Sequence, residues 1–411
     1  MIQSMTSINT NAQEIQEFVN RGVETVYPND DFLIDRLSSG KQLSMYLGID
    51  PTGPTLHLGH VITLRKLAHF QRLGHKVILL IGDFTAQVGD PTDKSETRKQ
   101  LTHEEVLENA RLYQDQASLF LDFEGDNPAE LRYNSEWSDQ MRFAEVMDLA
   151  SRMTVQQMLE RDMFRRRMES GKPIYIHEFF YPLMQGYDAV ALDVDGEIGG
   201  NDQTFNMLVG RDLMKDMKDK EKFVLPMKLL TDTGGAKMGK TTGNMLSFLD
   251  TPAEKYGKVM SWTDGMIEPG FELLTDEPLE SVRTRLGSEE NPRDIKKDLA
   301  RRIVAMFHDE EVAKEAQEHW ETQFTDGGIP EDIPEHLVES PEEIMNLLRE
   351  TGMVKSGKEA RRKIDEGAVQ LDGKKIKEIK VKLTKEQLEQ GVVLKLGRKM
   401  FRIKSRKKRE D

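Results

Sequence analysis

The sequence YLGIDPTGPTLHLGH, at residues 46–60, combines a strand, a turn and the start of a helix, and it decides the fold. Alternating apolar residues up to Ile49 predict a β-strand, and the DPTGP segment at 50–54 can continue neither a strand nor a helix. A helix is predicted to begin next. His57 and His60 lie three residues apart in its first turn, so they project to the same side.

The two histidines lie where a helix favours negative charge. A helix N-terminus offers unbonded N–H groups and the positive end of the dipole, so His57 and His60 would suit a polyphosphate. Gly59 removes a side chain where the backbone would meet a ligand. The alternative is a pair of ordinary N-terminal histidines, and this motif alone does not decide between the two interpretations.

A second strand is predicted at 77–82, where the run VILLIG follows the helix. Strand, helix and strand in this order form a βαβ unit, which predicts an α/β fold with a parallel sheet. The strand leads into the loop GDFTAQVGDPTDKSETR, which carries Asp90, Lys94 and Arg98. Loops at the carboxyl ends of parallel strands form the ligand crevice, so we expect this loop beside the two histidines.

Residues 176–188, IHEFFYPLMQGYD, predict a helix that is mostly apolar. Tyr181, Gln185 and Asp188 fall at i, i+4 and i+7 and therefore share one face. We expect the helix to be buried. Buried polar groups need partners, which a ligand could provide, and solvent exposure of this stripe is the alternative.

A glycine-rich loop, TDTGGAKMGKTTGN at 231–244, follows a strand predicted at 223–229. Lys237, Lys240 and Thr241 supply two cations and a hydroxyl, and a loop of this kind can close over a triphosphate. The loop is not a P-loop, because no helix follows it directly within a βαβ unit.

Helices, and one short strand at 131–133, are predicted in the intervening chain. Thr102 and Glu105 form a capping box that opens a helix predicted to reach about residue 120, and two more helices are predicted between 138 and 168. The basic triplet at 165–167 is interpreted as a solvated face, with RNA contact as the alternative.

Composition excludes several classes of protein. The chain has 411 residues and no cysteine, so a disulfide framework, a thiolate metal site and a thiol nucleophile are excluded. The mean hydropathy is -0.59, and no apolar run approaches the roughly 18 residues of a membrane span. Residues 1–12 are polar, and we expect no export signal. We expect a cytoplasmic protein without a membrane partner.

Charge is distributed unevenly along a chain of net charge -14. Residues 341–411 contain 21 Lys and Arg against 12 Asp and Glu, whereas the remainder contains 37 against 60. A small basic module attached to an acidic body predicts contact with RNA or DNA. The candidate phosphate-binding residues, for which a solvated face is the alternative, are Lys355, Lys358, Arg361, Arg362 and Lys363.

Together the motifs resemble the tyrosyl-tRNA synthetases, which are class I aminoacyl-tRNA synthetases of Rossmann fold. HLGH at 57–60 resembles the HIGH motif of the family, and KMGKT at 237–241 resembles its KMSKS loop in a variant form. Residues 176–188 and IGGNDQ at 198–203 resemble the tyrosine-pocket helix and the stretch after it. Residues 347–374 resemble an S4 RNA-binding domain.

The resemblance implies a domain order. A Rossmann-like doubly wound parallel sheet is expected at 1–250, with a helical insertion at about 100–170. A helical domain on the anticodon side is expected at 251–325. A linker at 326–340 would connect it to a small α+β S4-like domain at 341–411.

The resemblance also implies roles for individual residues. It assigns the phenol of tyrosine to Tyr46 and Asp188. It assigns the ammonium group and the rest of that substrate to Asp90, Tyr181, Gln185 and Gln203. For ATP it implies Gly48, Asp50, Thr52, His57, Gly59, His60, Thr63, Gly200, Asp202 and Lys240. For catalysis on the leaving pyrophosphate it implies Lys94, Arg98, Lys237, Lys240 and Thr241, together with the two histidines. Glu197 stands where some relatives carry Gln, which leaves its contact open.

The implied activity is that of a tyrosine--tRNA ligase. L-tyrosine would react with ATP and Mg to give tyrosyl-adenylate, and the tyrosyl group would pass to the 3′ end of tRNA(Tyr). No metal bound by the protein itself is expected, and a homodimer is implied. The alternatives are the sibling enzyme that activates tryptophan, a non-catalytic RNA-binding protein on a synthetase scaffold, and a small-molecule adenylyltransferase.

Overall fold

The computed structural model describes residues 7–92, 101–231, 246–325, 334–397 and 399–405. The chain divides into two compact units, Met1–Ala316 and Gln317–Asp411. The boundary expected at residue 250, between a catalytic and a helical domain, falls inside the first unit. In the described ranges no helix is long and apolar enough to cross a membrane.

Five parallel strands form the sheet of the first unit, in the spatial order β3-β2-β1-β4-β5. The strands are β1 (Ser44–Ile49), β2 (Lys76–Ile81), β3 (Glu130–Tyr133), β4 (Gly196–Gly200) and β5 (Phe223–Met227). The chain proceeds outward from β1 to β3 and then returns to the other side of β1. This order confirms the doubly wound α/β fold. It places the topological switch point between β1 and β4, where such sheets bind ligands.

The register of β1 determines which side chains meet at the switch point. Tyr46 is in register with Ile78 of β2 and with Glu197 of β4. Residues in register on neighbouring strands point to the same face of a sheet, so Tyr46 and Glu197 share one face.

Seventeen α-helices lie between residues 12 and 325 of the described chain. They are α1 (Ala12–Asn20), α2 (Asp30–Ser38), α3 (Leu58–Arg72), α4 (Thr85–Val88), α5 (His103–Ala110), α6 (Tyr113–Ala117), α7 (Ser135–Ser138), α8 (Phe143–Ala150), α9 (Val155–Leu159), α10 (Asp162–Glu169), α11 (Ile176–Leu192), α12 (Thr204–Lys218), α13 (Pro252–Met260), α14 (Ile267–Leu274), α15 (Leu279–Leu286), α16 (Pro292–Phe307) and α17 (Glu310–Thr325). These counts and bounds refer to the described residues.

Helix α11 is longer than its sequence pattern predicted, and it is buried as expected. It continues through Pro182, which lies inside it, and ends at Leu192. It packs closely on α12: a Cβ atom at Gly186 would lie 3.0 Å from side-chain atoms of Leu213 and Val209. Together α11 and α12 cover the face of the sheet that carries Tyr46.

The segment expected as a helical insertion differs from the prediction. The capping box is present, since the amide of Glu105 donates to the Thr102 hydroxyl over 3.2 Å and the amide of Thr102 donates to the Glu105 carboxylate over 2.8 Å. The helix ends at Ala110, however, and α6 follows it. The strand predicted at 131–133 is present as β3, an edge strand of the sheet, and three short helices instead of two lie between 138 and 169.

The second unit is a small α+β domain, as expected. Its sheet has the order β6-β10-β9-β7-β8 and packs on an apolar core. Its elements are β6 (Glu335–Val338), α18 (Ile344–Glu350), α19 (Gly357–Asp365), β7 (Val369–Leu371), β8 (Lys374–Lys375), α20 (Lys385–Gln390), β9 (Val392–Leu396) and β10 (Lys399–Ser405).

Two features of the second unit differ from the sequence prediction. Strand β6 lies within the segment expected as a linker, where it pairs with β10. The strand predicted around 381–383 is limited to an isolated bridge between Lys382 and Glu343.

Candidate active site

The carboxyl ends of the central strands bring the predicted site residues together. Asp50 follows β1, Asp83 follows β2, Asn134 follows β3, and Gly200 ends β4. In a parallel sheet these ends lie along one edge, and the switch point opens a crevice there.

His57 and His60 stack at the start of α3, with ring centroids 4.0 Å apart. His57 is the N-cap residue, and its Nδ1 accepts from the amide of Gly59 over 3.1 Å. The Nδ1 atom of His60 accepts from the amide of His57, also over 3.1 Å. Both Nδ1 atoms act as acceptors, so a neutral ring carries its proton on Nε2. The prediction that the two rings share one side is confirmed.

The first N–H groups of α3 are not unbonded, so this part of the prediction is wrong. The amide of Leu58 donates to the carbonyl of Leu246 over 2.9 Å, and that of His60 donates to the carbonyl of His57 over 2.8 Å. Gly59 also meets a packing constraint that the sequence did not indicate, because a Cβ atom there would lie 3.0 Å from Cε1 of His57; its expected role toward a ligand stays a prediction. The glycine makes room for the folded imidazole.

Tyr46 and Asp188 lie together in the interior. Tyr46 is fully buried and Asp188 is 3% exposed. The Tyr46 hydroxyl donates to the carbonyl of Gln185 over 3.4 Å. Burial raises the pKa of Tyr46 well above its ordinary value, and the carboxylates of Glu197 and Asp188 raise it further.

Asp188 is held by two donors that the sequence patterns did not indicate. Its Oδ1 accepts from Trp137 Nε1 over 2.9 Å, and its Oδ2 accepts from Asn134 Nδ2 over 3.3 Å. Burial raises the pKa of Asp188 well above its ordinary value, although both hydrogen bonds oppose that shift. A strand end followed by Asn-x-x-Trp is the only sequence signal that could have pointed to these donors.

Tyr181 of α11 contacts Asp50 at the end of β1. Its hydroxyl donates to Asp50 Oδ2 over 2.8 Å, and Thr85 donates to Asp50 Oδ1 over 2.7 Å. Asn134 Nδ2 also reaches Thr85 Oγ1, at 3.0 Å. A chain of hydrogen bonds therefore joins the end of β1 to Asp188.

The residues predicted for the ammonium group form a second set of contacts. Gln203 Nε2 donates to Asp90 Oδ2 over 2.8 Å, and Gln203 Oε1 accepts from Asn206 over 3.0 Å. Gln185 Nε2 donates to Glu197 Oε1 over 3.1 Å. Within the described part of the chain, Gln185 Oε1 is buried and accepts no hydrogen bond.

The remaining predicted nucleotide residues occupy varied positions. Gly48 and Thr52 are exposed, and Asp202 directly follows the end of β4. Thr63 is buried, and its hydroxyl donates to the carbonyl of His60 in its own helix, over 3.0 Å. Five predicted residues lie outside the described ranges: Lys94, Arg98, Lys237, Lys240 and Thr241. The roles of all these residues remain predictions.

The basic triplet at 165–167 is not one solvated face. Arg165 and Arg166 are exposed, but Arg167 is 2% exposed and forms an ion pair with Glu178 over 2.6 Å. The interpretation is therefore wrong for Arg167, which links α10 to α11.

The basic residues of α19, and Lys355 just before it, are mostly accessible. Lys355, Lys358, Arg361 and Arg362 are exposed. Lys363 lies 2.9 Å from Glu366, and Arg362 lies 3.6 Å from that carboxylate. Across the described residues, no cluster of three or more His, Asp and Glu side chains could hold a metal ion.

Comparison with known proteins assigns the family. Residues 38–325 match the tRNA synthetases class I (W and Y), and residues 325–403 match the tyrosine--tRNA ligase SYY-like C-terminal domain. The chain belongs to the tyrosine--tRNA ligase family. The expected resemblance is confirmed, and with it the enzyme class of an aminoacyl-tRNA synthetase.

Relatives cover almost the whole chain. The tyrosine--tRNA ligase of Carboxydothermus hydrogenoformans is 44% identical over 403 residues, covering 94% of this chain and 96% of its own length. That of Thermotoga maritima is 45% identical over 381 residues, covering 91% and 94%. A C-terminally truncated mitochondrial tyrosyl-tRNA synthetase of Aspergillus nidulans has a similar fold, with a TM-score of 0.64 at 24% identity over 76% of this chain and 97% of that one.

Proposed function

We propose that this chain activates L-tyrosine with Mg-ATP and transfers the tyrosyl group to the 3′ end of tRNA(Tyr). The observation that carries the proposal is that Tyr46 and Asp188 are both buried at the switch point of the sheet. Tyr46 lies on β1, which leads to the neighbouring histidine rings of α3, and Asp188 lies on α11, which covers that strand. A phenol is the ligand that such a hydroxyl and carboxylate would recognise.

Tyrosine would be bound by residues of both sides of the crevice. Asp188 would accept a hydrogen bond from the hydroxyl of the substrate phenol. Tyr46 would be the second hydrogen-bond partner of that hydroxyl. Asp90, Tyr181 and Gln185 would receive the ammonium group, and Gln203, which contacts Asp90, would face the substrate beside them. A site built to bond a hydroxyl rejects phenylalanine, because its buried polar groups would be left unpaired; tyrosyl-tRNA synthetases are the standard example of this selectivity.

The nucleotide would lie against the ends of β1 and β4. His57 and His60 would bind phosphate or ribose oxygens through their imidazoles, since the first amides of α3 already have partners. Asp50, Thr52, Gly48, Gly59 and Thr63 would belong to the same side of the site, and Gly200 and Asp202 to the ribose side.

The reaction needs no nucleophile from the protein. The tyrosine carboxylate would attack the α-phosphate of ATP in line, and pyrophosphate would leave. Catalysis would come from positioning and from charge stabilisation of the transition state. Lys94, Arg98, Lys237, Lys240 and Thr241 would stabilise the leaving pyrophosphate. The Mg would enter with ATP as part of the substrate.

Two further parts of the proposal concern partners. The exposed cations of α19 would contact tRNA phosphates. The enzyme would act in the cytoplasm. A second copy of the chain would cover exposed apolar residues on α8 and at the start of α11, where Phe143 is 79% and Ile176 is 76% exposed. Helices α8 and α11 contact each other, and exposed apolar side chains of this kind often mark an interface.

Amino-acid-dependent exchange of pyrophosphate into ATP tests the proposal. We expect exchange with L-tyrosine, and none with L-tryptophan or L-phenylalanine at the same concentration. Exchange that depends on tryptophan would favour the sibling enzyme. No exchange with any amino acid, from a protein that still binds tRNA, would favour a non-catalytic RNA-binding protein.

A further inference from the structure

A buried ion pair lies beside Tyr46 and has no part in the roles described above. Lys222 is 0% exposed and Glu197 is 1% exposed, and Lys222 Nζ donates to Glu197 Oε2. The same Nζ lies 5.8 Å from the centroid of the Tyr46 ring. Burying two charges generally costs more than their attraction returns, so the pair calls for an explanation other than stability.

A glycine of α12 leaves space for the side chain of Lys222. A Cβ atom at Gly210 of α12 would lie 2.7 Å from Lys222 Nζ and 3.3 Å from Glu197 Oε2. Glycine at this position therefore leaves the space that the ammonium group occupies. The register of β4 then brings Glu197 next to Tyr46 on β1.

The second oxygen of Glu197 determines how the amide of Gln185 is oriented. An ionised carboxylate only accepts hydrogen bonds, and the ammonium group of Lys222 favours the ionised form. Gln185 must therefore present its Nε2 to Glu197, as it does over 3.1 Å. Its Oε1 then points away from the carboxylate, and it is buried without a donor among the described residues.

A buried amide oxygen without a donor is costly, which indicates that a donor arrives with a ligand. We propose that the Glu197–Lys222 pair is a positioning device that holds the Gln185 amide with its oxygen toward the ammonium group of the bound amino acid. The inference rests on the proposed function, which assigns that ammonium group in part to Gln185. A glutamine at position 197 could donate to Gln185 Oε1, so without a ligand it would favour the opposite orientation, in which that oxygen turns away from the ammonium site and accepts a hydrogen bond.

The test compares two ligands that differ only in the ammonium group. The double variant Glu197→Gln with Lys222→Met removes both charges and keeps similar side-chain volumes. We expect its Kd for L-tyrosine to rise about tenfold, the effect of one hydrogen bond to a charged group. The Kd for 3-(4-hydroxyphenyl)propanoate, which lacks the ammonium group, should change less than about twofold, within the scatter of such measurements.

Controls separate positioning from packing. Thermal melting would establish that the double variant is folded, and the single variant Lys222→Met, which leaves Glu197 buried without its cation, should melt at a lower temperature. When Gln185 is replaced by Met, adding Glu197→Gln and Lys222→Met should cause no further change in the Kd for tyrosine. The reason is that the ion pair acts on the substrate only by orienting Gln185.

Each outcome has a definite meaning. An equal loss of affinity for both ligands, no loss for either, or a full effect in the Gln185→Met background would overturn the positioning role. A failure of the unaltered protein to bind L-tyrosine would instead overturn the proposed function, and this inference with it.

Discussion

The backbone amide of Leu58 donates to the carbonyl oxygen of Leu246 over 2.9 Å, and the amide of Phe248 returns a bond to the carbonyl of Leu56 over 3.2 Å. His57 lies between these bonds and forms an isolated bridge with Ser247. The chain that follows KMGKT is therefore joined to the start of α3. This junction is the structural reason to expect the lysines of that motif and the histidines to act on one nucleotide.

Replacing His57 should separate its catalytic role from its capping role. In His57→Ala both the imidazole and the N-cap acceptor are lost, whereas His57→Asn keeps an oxygen that can cap α3. We expect both variants to form tyrosyl-adenylate more slowly by on the order of a hundredfold, measured in single turnovers. Only the alanine variant should lose stability, by about 1 kcal/mol in unfolding. A matching loss of tyrosine affinity in both variants would contradict the assigned role.

Trp137→Phe should weaken discrimination at the phenol site. The substitution removes the donor that lies 2.9 Å from Asp188 Oδ1 while it keeps an aromatic ring. We expect kcat/KM for tyrosine in pyrophosphate exchange to fall about tenfold, as for a lost hydrogen bond to a charged group, with little change in the low rate with phenylalanine.

Trp262→Phe is the matched control for this experiment. Trp262 is buried, whereas Trp137 is partly buried, and within the described chain the indole nitrogen of Trp262 has no hydrogen-bond partner. We expect its exchange kinetics to equal those of the unaltered protein. If the two variants behave alike, Trp137 acts through packing and not through Asp188.

The sheet was largely predictable from the sequence, with one informative exception. Strands β1, β2 and β5 contain apolar runs, which is the pattern of a buried parallel strand. Strand β4 has the sequence GEIGG, which lacks that pattern. Its Gly196 is required because a Cβ atom there would overlap the ring of Phe223 on β5, and this constraint depends on tertiary packing.

Site residues within one motif could be placed together from the sequence. Contacts between side chains of distant elements could not. The proximity of His57 and His60 follows from helical spacing alone. The contacts of Glu197 with Gln185 and Lys222 join α11, β4 and the residue before β5, and no local pattern connects these positions. The capping at the start of α3 was also hidden, since histidine is not an ordinary N-cap residue.

His75 should make the protein sensitive to mild acid. It is fully buried, and its Nδ1 accepts from the amide of Leu43 over 3.2 Å, which a protonated ring cannot do. Burial lowers the pKa of His75 from 6.5 to about 4. Between these two pH values the histidine of the unfolded chain binds more protons than that of the folded chain. The contribution of His75 to stability is therefore complete above pH 6.5 and is lost as the pH falls toward about 4.

The measurement for His75 is the melting temperature as a function of pH. We expect the melting temperature of His75→Leu to fall less steeply between pH 6.5 and 4 than that of the unaltered protein. The reason is that protonation of His75 makes the unfolding free energy fall by up to about 1.4 kcal/mol per pH unit, and the variant has no such group. His103→Leu, at an exposed position of α5, is the control. Parallel curves for His75→Leu and the unaltered protein would show that the ring is not the sensitive group.

Removing three cations of α19 and the residues just before it should affect tRNA binding and not adenylate formation. The triple variant Lys355→Gln, Lys358→Gln and Arg361→Gln neutralises exposed side chains. We expect a higher KM for tRNA and a shallower dependence of tRNA binding on salt, by about 0.7 to 0.9 in log–log slope for each phosphate that no longer meets a cation. Pyrophosphate exchange should stay unchanged. The control is Lys382→Gln with Lys385→Gln, which neutralises lysines elsewhere in the same unit.

Phe143→Glu should prevent the proposed association of two copies. The side chain is 79% exposed on α8, so a charge there costs little in a single chain but would be costly inside an apolar interface. We expect sedimentation velocity to show a dimer for the unaltered protein and a monomer for the variant. Leu337→Glu, at a 49% exposed position of the second unit, should remain dimeric. A monomeric unaltered protein would rule out this assembly.

A crystal structure with a non-hydrolysable analogue of tyrosyl-adenylate is the most direct test of the account. We predict that the phenol oxygen will lie within hydrogen-bonding distance of Tyr46 and Asp188, with the ribose–phosphate portion against His57 and His60. An analogue bound with its ring elsewhere, or with its phosphate portion away from both imidazoles, would contradict the central claim that one crevice between β1 and β4 serves both substrates.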